Sequence, residues 1–432
     1  MVIMNKKIFK NIDIFDGEKF FRGTVVVSGS MIEKVSAGDI GVILSDEYEA
    51  ISGDYILMPG MINLHTHIPM TLFKGVSEDL PLEKWLERIF PLEAKFISPE
   101  MVYICGMWGM AELLRSGVTT FSDMYFFEES VAKAAMEINI KAVLGEGVIN
   151  FPAPNGKNAE QTIEYTEELA KKYKNDPLIG VAAAPHSPYL TEEKYLLKLK
   201  EISDKYQIPF HIHMAESQFE VTNYKKTCGK DEFERFEELG LLSDRFIGAH
   251  CVNLTDKELE IMARNKVTVA HCPSSNMKLG SGVARVTEML KAGVNVGVAT
   301  DGSASNNNLN LLQEAELAAK LQKVIQRDPT AFKSIDALKS VTSNPGKPLG
   351  KDRGIIKVGA PADLVLIKTD SYEISPVYEP ASALLYASGH SDIEAVFVNG
   401  RKVVENGRIL TIDEENLRKE FSKFVSKVRE EI

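Results

Sequence analysis

Between residues 60 and 300 the chain repeats one alternation eight times: a short apolar run with strand character, then an amphipathic stretch with helical spacing. The runs lie at 60–64, 118–123, 141–146, 179–184, 209–213, 246–250, 267–271 and 294–300. Eight parallel strands joined by helical crossovers is the arithmetic of a (β/α)8, or TIM, barrel of roughly 250 residues. The punctuation agrees. Ser98-Pro99 starts a helix that Gly117 can stop, and Thr255-x-x-Glu258 is a capping box.

At 432 residues the chain is longer than one barrel requires, and its ends read differently from its middle. Short strands separated by turns occupy 7–14, 24–27, 31–35 and 55–58, and the same pattern returns at 363–367 and 395–398. An Asn399-Gly400 turn then leads into 402–404, a hairpin signal. We expect an α/β protein in two parts: a small β-sandwich-like domain from both chain ends, 1–58 with 356–432, and a barrel catalytic domain over 59–355. The tail at 413–432 carries Leu417, Phe421, Phe424, Val425 and Val428 at helical spacing.

Two connections exceed what a barrel needs. The first, 69–96, contains Trp85 and several acids and reads as a lid; the second, 150–158, is rich in Pro, Gly and Asn. Long loops at the carboxyl ends of barrel strands usually build the active site.

Composition removes several classes of function. Lys and Arg number 50 against 61 Asp and Glu, a net charge of −11, and no window combines packed basic residues with interleaved aromatics. Nucleic acid is therefore not expected as a partner, because phosphate binding needs a concentrated positive face. No window approaches the roughly 18 apolar residues of a membrane span, and residues 1–10 lack the apolar stretch of a signal peptide, so a cytoplasmic protein is expected. Cys105, Cys228, Cys251 and Cys272 form no CxxC pair, which suggests neither a disulfide framework nor a thiolate zinc cluster.

Seven of the eight histidines sit at or just after the ends of the strand runs: His65, His67, His186, His211, His213, His250 and His271. In a barrel these ends converge on one mouth. His65 and His67, two apart on the first strand, leave it on the same side and can reach one ion. An imidazole of the fifth strand and Asp301 after the eighth complete a set of three imidazoles and one carboxylate suited to zinc or ferrous iron. Parity turns both His211 and His213 inward, so it does not choose between them. A metal in such a site lowers the pKa of a bound water from about 15.7 toward about 7, supplying hydroxide without a Ser or Cys nucleophile.

The motifs His65-Thr-His67, Pro185-His186-Ser-Pro, His211-Ile-His213-x-x-Glu216, Ala249-His250-Cys, His271-x-Pro-x-Ser-Asn276 and Thr300-Asp301-Gly-x-x-Ser305-Asn306-Asn307 together resemble the amidohydrolase superfamily, specifically its methylthioadenosine/S-adenosylhomocysteine deaminase group. The likeness covers nearly the whole chain, including Pro69-Met-Thr-Leu-Phe-Lys-Gly-Val and Asp79-Leu-Pro-Leu-Glu-Lys-Trp85-Leu. It implies that His65, His67, His213 and Asp301 hold the metal, Zn2+ with Fe2+ as the alternative. It also implies that Glu216 protonates a purine ring nitrogen while hydroxide adds at C6, that Asp301 passes the water proton toward departing ammonia, and that His250 orients the hydroxide. Trp85 would lie against the substrate, Glu93 on the ribose hydroxyls, and His186 with Ser305 near the sugar. Dinuclear relatives place a metal-bridging Lys or Glu where 179–190 has none, so one ion per chain is expected. The resemblance further implies a small-molecule purine nucleoside as substrate and a homo-oligomer.

Triazine dechlorinases and guanine deaminase share this barrel and metal set, but His213-x-x-Glu216 favours deamination with ring protonation over chloride displacement. A non-catalytic scaffold built on the same fold would be expected to lose ligands, and none is missing. One departure from the resembled group concerns Glu146, at the end of the third strand, where relatives that accept S-adenosylhomocysteine can carry an arginine. An acid facing the substrate there would repel its carboxylate. 5′-Methylthioadenosine, 5′-deoxyadenosine or adenosine should then outrank S-adenosylhomocysteine, with a larger nucleoside such as aminodeoxyfutalosine left open by the 150–158 loop.

Overall fold

The computed structural model describes residues 6–38, 48–350 and 352–432. Of residues 1–10, read above as lacking a signal-peptide stretch, 1–5 lie outside the described residues, and Lys6 onward opens a strand. Nine strands build one side of the molecule and nine short segments build the barrel. In chain order they are β1 (Lys6–Phe15), β2 (Phe20–Ser28), β3 (Met31–Ala37), β4 (Tyr48–Ile51), β5 (Tyr55–Pro59), β6 (Met61–Thr66), β7 (Val118–Tyr125), β8 (Lys141–Val148) and β9 (Ile179–Val181). They continue as β10 (Ala184–Pro185), β11 (Phe210–Met214), β12 (Phe246–His250), β13 (Thr268–His271), β14 (Asn295–Val298), β15 (Leu364–Lys368), β16 (Ile393–Val398), β17 (Arg401–Glu405) and β18 (Arg408–Ile409).

The two chain ends interleave in one nine-stranded sheet of order β18-β17-β16-β15-β5-β1-β2-β3, with β4 alongside β1. The joint is the antiparallel pair β5–β15, in which Leu57 faces Leu366. Period-two alternation then divides these strands between two cores. Leu57, Leu364 and Leu366 join Phe9, Ile14 and Phe397 in a cluster of the sheet's own, where Phe9 and Phe397 meet edge to face at 5.5 Å. Met58, Val365 and Ile367 point the other way, into the barrel's core. Burial on both faces explains why these strands read as continuous apolar runs. The C-terminal helix Glu414–Arg429 packs on a barrel helix instead: Phe421 stacks on Trp108 with ring centroids 4.3 Å apart, a contact worth about 0.5–1.5 kcal/mol beyond its buried area.

All eight expected barrel runs form, in two arcs. One arc runs β6, β7, β8 and then β9 and β10; the other runs β11 to β14, every pair parallel. The fourth run is interrupted at Ala182 and Ala183, whose N–H groups switch from Leu144 O on one side to Pro209 O on the other, as successive residues of a central strand do, and the pairing with β8 resumes in the same register at Ala184. That switch joins the arcs on one side through the Ala183–Phe210 bridge. On the other side Asp301 N–H donates to His65 O at 3.0 Å, and the Asn63 carboxamide grips Thr300 at both ends. The seam between the first and last strands therefore brings the first strand's histidine to the aspartate that follows the last.

The connection expected as a lid is a 3-10 turn, Ile68–Phe73, followed by the helix Leu82–Phe96. Its inner face buries Trp85, Ile89 and Glu93 over the mouth. The helix Pro99–Arg115 starts at Ser98, whose side chain accepts from Met101 N–H, and Thr255 with Glu258 forms a full capping box.

Candidate active site

The carboxyl ends of the barrel strands open into a cavity of about 520 Å3. At its floor three imidazoles are each held from behind. His67 Nδ1 lies 2.5 Å from Met124 O, and His213 Nδ1 lies 2.7 Å from His186 O. A carbonyl oxygen only accepts, so both Nδ1 atoms carry hydrogen, and in the neutral rings both Nε2 atoms present lone pairs. Those two Nε2 atoms are 3.3 Å apart. His65 Nδ1 meets His211 Nε2 at 2.9 Å, and His211 Nδ1 lies 3.2 Å from Ser122 Oγ. His65 Nε2, fully buried, has no hydrogen-bond partner. Asp301 Oδ1 completes the ring, 3.4 Å from His65 Nε2 and 3.3 Å from His67 Nε2.

Lone pairs and an anionic oxygen directed at one centre repel one another unless a cation lies between them. The donors of His65, His67 and His213 all fall within 4.8 Å of one another, as do those of His65, His250 and Asp301. Three nitrogens and one carboxylate oxygen are the donor chemistry of zinc or ferrous iron. Electrostatics points the same way. Burial, with His67 adding to it, lowers His65 to about 4, and burial with His186 and His65 beside it holds His213 well below the usual histidine range. Burial pushes Asp301 up, but His65 against the carboxylate and the nearby His250 and His67 outweigh it and hold the carboxyl well below its usual range. Neutral imidazoles beside an ionised carboxylate are the protonation states a divalent ion requires.

Backbone geometry supports the ring. Asp301 and His250 adopt φ of +65° and +68°, left-handed positions that cost non-glycine residues roughly 1–3 kcal/mol and gather at functional sites. At Gly302 any Cβ would lie 3.1 Å from His67 Cβ, so glycine there allows the last strand's loop to close against the first. Asp301 Oδ2 is held by Ser275 Oγ at 2.6 Å and Ser305 Oγ at 3.0 Å.

Glu216 is buried just beyond β11 and faces the cavity. The Glu220 carboxylate accepts from the Glu216 and Ser217 N–H groups, and Asn253 donates to Glu216 O, so the backbone carrying Glu216 is fixed on both sides. His250 Nε2 lies 3.7 Å from Glu216 Oε2, while its Nδ1 faces Asn276 Oδ1 at 2.8 Å. Trp85, Glu93, His186 and Ser305 also line the cavity, although the Ser305 hydroxyl is engaged with Asp301 rather than open to a sugar. Tyr125 OH donates to Glu93 at 2.7 Å, and burial, opposed by that hydrogen bond, raises Glu93 to about 7.

Glu146 does not face the cavity, contrary to expectation. Its two oxygens accept the N–H groups of Phe127 and Glu128 at 2.9 and 2.8 Å, and Asn155 donates to it as well. The reason is local: the helix Glu128–Ile138 begins after a residue with no capping side chain, and the carboxylate on the next strand satisfies those exposed donors. His211, left open by parity, backs His65, whereas His271 is buried with burial and His250 lowering it to about 3. His390 lies in a 3-10 turn before β16, on the sheet side. Sequence reasoning passed over Tyr125, Ser275 and Asn276. The ends of barrel strands point to Tyr125, and Ser275 and Asn276 stand inside a quoted motif.

Residues 56–403 match the amidohydrolase family. A 5-methylthioadenosine/S-adenosylhomocysteine deaminase of Thermodesulfovibrio yellowstonii is 46% identical over 364 residues, covering 84% of this chain and 83% of that one. A 5′-deoxyadenosine deaminase of Methanopyrus kandleri is 41% identical over 378 residues, 86% of each chain. The crystal structure of an adenosine deaminase from Xanthomonas campestris with bound zinc superposes with a TM-score of 0.94 at 32% identity over 98% of both chains. With this coverage, and with the site's donors assembled at one barrel mouth, the chain belongs to the amidohydrolase family.

Proposed function

We propose that this protein is a metal-dependent hydrolase that deaminates the 6-amino group of adenosine-type nucleosides, giving the inosine analogue and ammonia. The observation that carries the reading is the shared cavity: three imidazole Nε2 atoms and Asp301 converge at its floor while a buried carboxyl group, Glu216, faces the same space. One divalent ion, which we assign as zinc held by His65, His67, His213 and Asp301, supplies the Lewis acidity that makes water nucleophilic near neutral pH.

The remaining work falls to the chain. Glu216 donates a proton to a purine ring nitrogen, which makes C6 electrophilic; Asp301 takes one proton of the attacking water and passes it to the amino group, which leaves as ammonia when the C6–N bond breaks, and the C6 hydroxyl proton returns to Glu216 as the carbonyl forms. His250, fixed by Asn276, orients the attacking water. Glu93, aligned by Tyr125, accepts from the ribose hydroxyls; Trp85 covers the base and His186 borders the sugar.

Preference at the 5′ end follows from the wall. Among the described residues none that lines the cavity is Lys or Arg, and one side is Phe90, Phe151, Pro152, Ala153 and Pro154. A substrate carboxylate buried there would lack a partner, at a cost of several kcal/mol. We therefore rank 5′-methylthioadenosine, 5′-deoxyadenosine and adenosine above S-adenosylhomocysteine, now on the wall's lack of cations rather than on Glu146. Ammonia release from a panel of these nucleosides tests the proposal; no turnover of any of them, or a preference for S-adenosylhomocysteine, rejects it.

The reading places the chemistry in 59–355, with 1–58 and 356–432 as a separate small domain, in a cytoplasmic homo-oligomer. No helix among the described residues is long and apolar enough to cross a membrane, and all four cysteines are free thiols, as a reducing compartment permits.

A further inference from the structure

We propose that Glu146 is a positioning residue whose carboxylate clasps the wall loop 150–158 to the β7–helix junction and so shapes the cavity end that receives the 5′ substituent. The inference rests on the deaminase reading above. Glu146, 1% exposed, stands behind two walls of the cavity. Its Oε1 accepts from Phe127 N–H and from the Asn155 carboxamide, and its Oε2 accepts from Glu128 N–H. On one side of this carboxylate, Tyr125 and Phe126 immediately precede Phe127 and line the cavity. On the other, Phe151 to Pro154 immediately precede Asn155 and line it too.

The ends of the loop have their own anchors. Asn150 N–H donates to Leu190 O, and Asn158 caps the helix Ala159–Lys172. Its middle is a tight turn in which Gly156 N–H donates to Ala153 O and Ala153 N–H to Lys157 O. Among the described residues, the Asn155 hydrogen bond is the one that ties this turn to a barrel strand. The partner side is also specific. Phe127 adopts φ of +57°, a left-handed conformation that aims its N–H and that of Glu128 at the same carboxylate. A carboxylate accepts all three donors on two oxygens, whereas a glutamine has one acceptor oxygen and must turn its NH2 against one of them.

The test compares Asn155→Ala, which cuts the loop arm together with the bond from Lys157 N–H to Asn155 Oδ1 inside the turn, with Glu146→Gln, which disturbs both arms of the clasp and leaves that inner bond in place. The readouts are kcat and KM for 5′-methylthioadenosine and adenosine, and amide hydrogen exchange of 151–157 without substrate. For Asn155→Ala we expect faster exchange in the loop and KM for 5′-methylthioadenosine raised about fivefold, with kcat and the adenosine KM within about twofold of wild type. Unchanged exchange overturns the clasp, and faster exchange with an unchanged ratio of the two KM values overturns its role in specificity. Should Glu146→Gln fail to fold, Asn155→Asp, which keeps the acceptor for Lys157 N–H and loses the donor to Glu146, decides: it too should speed exchange in the loop, and unchanged exchange overturns the clasp. If the wild-type enzyme turns over neither nucleoside, the deaminase reading falls, while the exchange comparison continues to judge the clasp.

Discussion

Two sets of buried polar side chains border the same mouth, and they use their polarity in opposite ways. Behind β8, Glu146 has its acceptors matched by two backbone N–H groups and a carboxamide. At the ends of β6 and β11, His65, His67 and His213 are each satisfied at Nδ1 and leave Nε2 facing a common centre. A matched group contributes stability and shape; a group with lone pairs left over is available to a ligand. Burial and perturbed ionisation occur in both places, so neither separates them. What separates them is which atoms remain without a protein partner.

The hardest way to break the contrast is to remove a donor from the unmatched set. His65→Ala should take the purified protein from one equivalent of divalent metal to almost none, with turnover lost alongside. Elemental analysis giving two equivalents in the unsubstituted enzyme, or full activity without metal, would overturn the four-donor assignment.

Next comes the acid above the ring. Glu216→Gln should keep metal content and thermal midpoint while kcat falls about 10²–10⁴-fold, since an amide has no proton to give; turnover within about tenfold of wild type would require another acid.

A smaller effect probes the layer behind the ring. His211→Leu removes the acceptor for His65 Nδ1 and should weaken metal binding about 10–100-fold, while His211→Gln, whose carbonyl can still accept, should recover most of it. Equal affinities in the two variants would show that His211 only fills space.

The smallest expected effect belongs to Glu93, raised to about 7 by burial. The ionised form is the better acceptor for ribose hydroxyls, so KM should rise by up to about tenfold per unit as pH falls below 7, and Glu93→Gln should flatten that profile. Stability has the opposite sign. Between an unfolded value of about 4.3 and the folded value the native state holds more proton than the unfolded one, so stability declines as pH rises through that window. Glu93→Gln should therefore raise the thermal midpoint at pH 8 relative to wild type and leave it nearly unchanged at pH 4. A midpoint lowered equally at both would mean that Glu93 acts only through its hydrogen bond to Tyr125.

Much of the architecture was legible because it is periodic. The eight runs all form, and the pairing of the chain ends is visible in the recurrence of short strands after Gly359. Boundaries were less so: the first run was read to end at residue 64, yet β6 extends through Thr66 and carries His65 within it. β4 and β18, four and two residues long, were missed because so few residues carry no usable period. The histidines and Asp301 were legible as a group because barrel strands present their carboxyl ends to one mouth. Tyr125, Ser275 and Asn276 were not, since a residue that acts by holding another carries no chemical mark of its own.

Residue type and spacing were enough to decide the barrel, the chain-end sheet and the reservoir of imidazoles and carboxylates from which a metal centre can be drawn. Those follow from local periodicity, a property of neighbouring residues along the chain. Only the tertiary structure decided how each buried polar atom is used. His65 meets His211 across 146 positions, Asn63 grips Thr300 across 237, and Glu146 turns from the cavity toward the backbone N–H groups of Phe127 and Glu128. The physical reason is that a hydrogen bond is settled by approach and direction over about 3 Å, and no spacing rule carries that precision between segments so far apart in sequence.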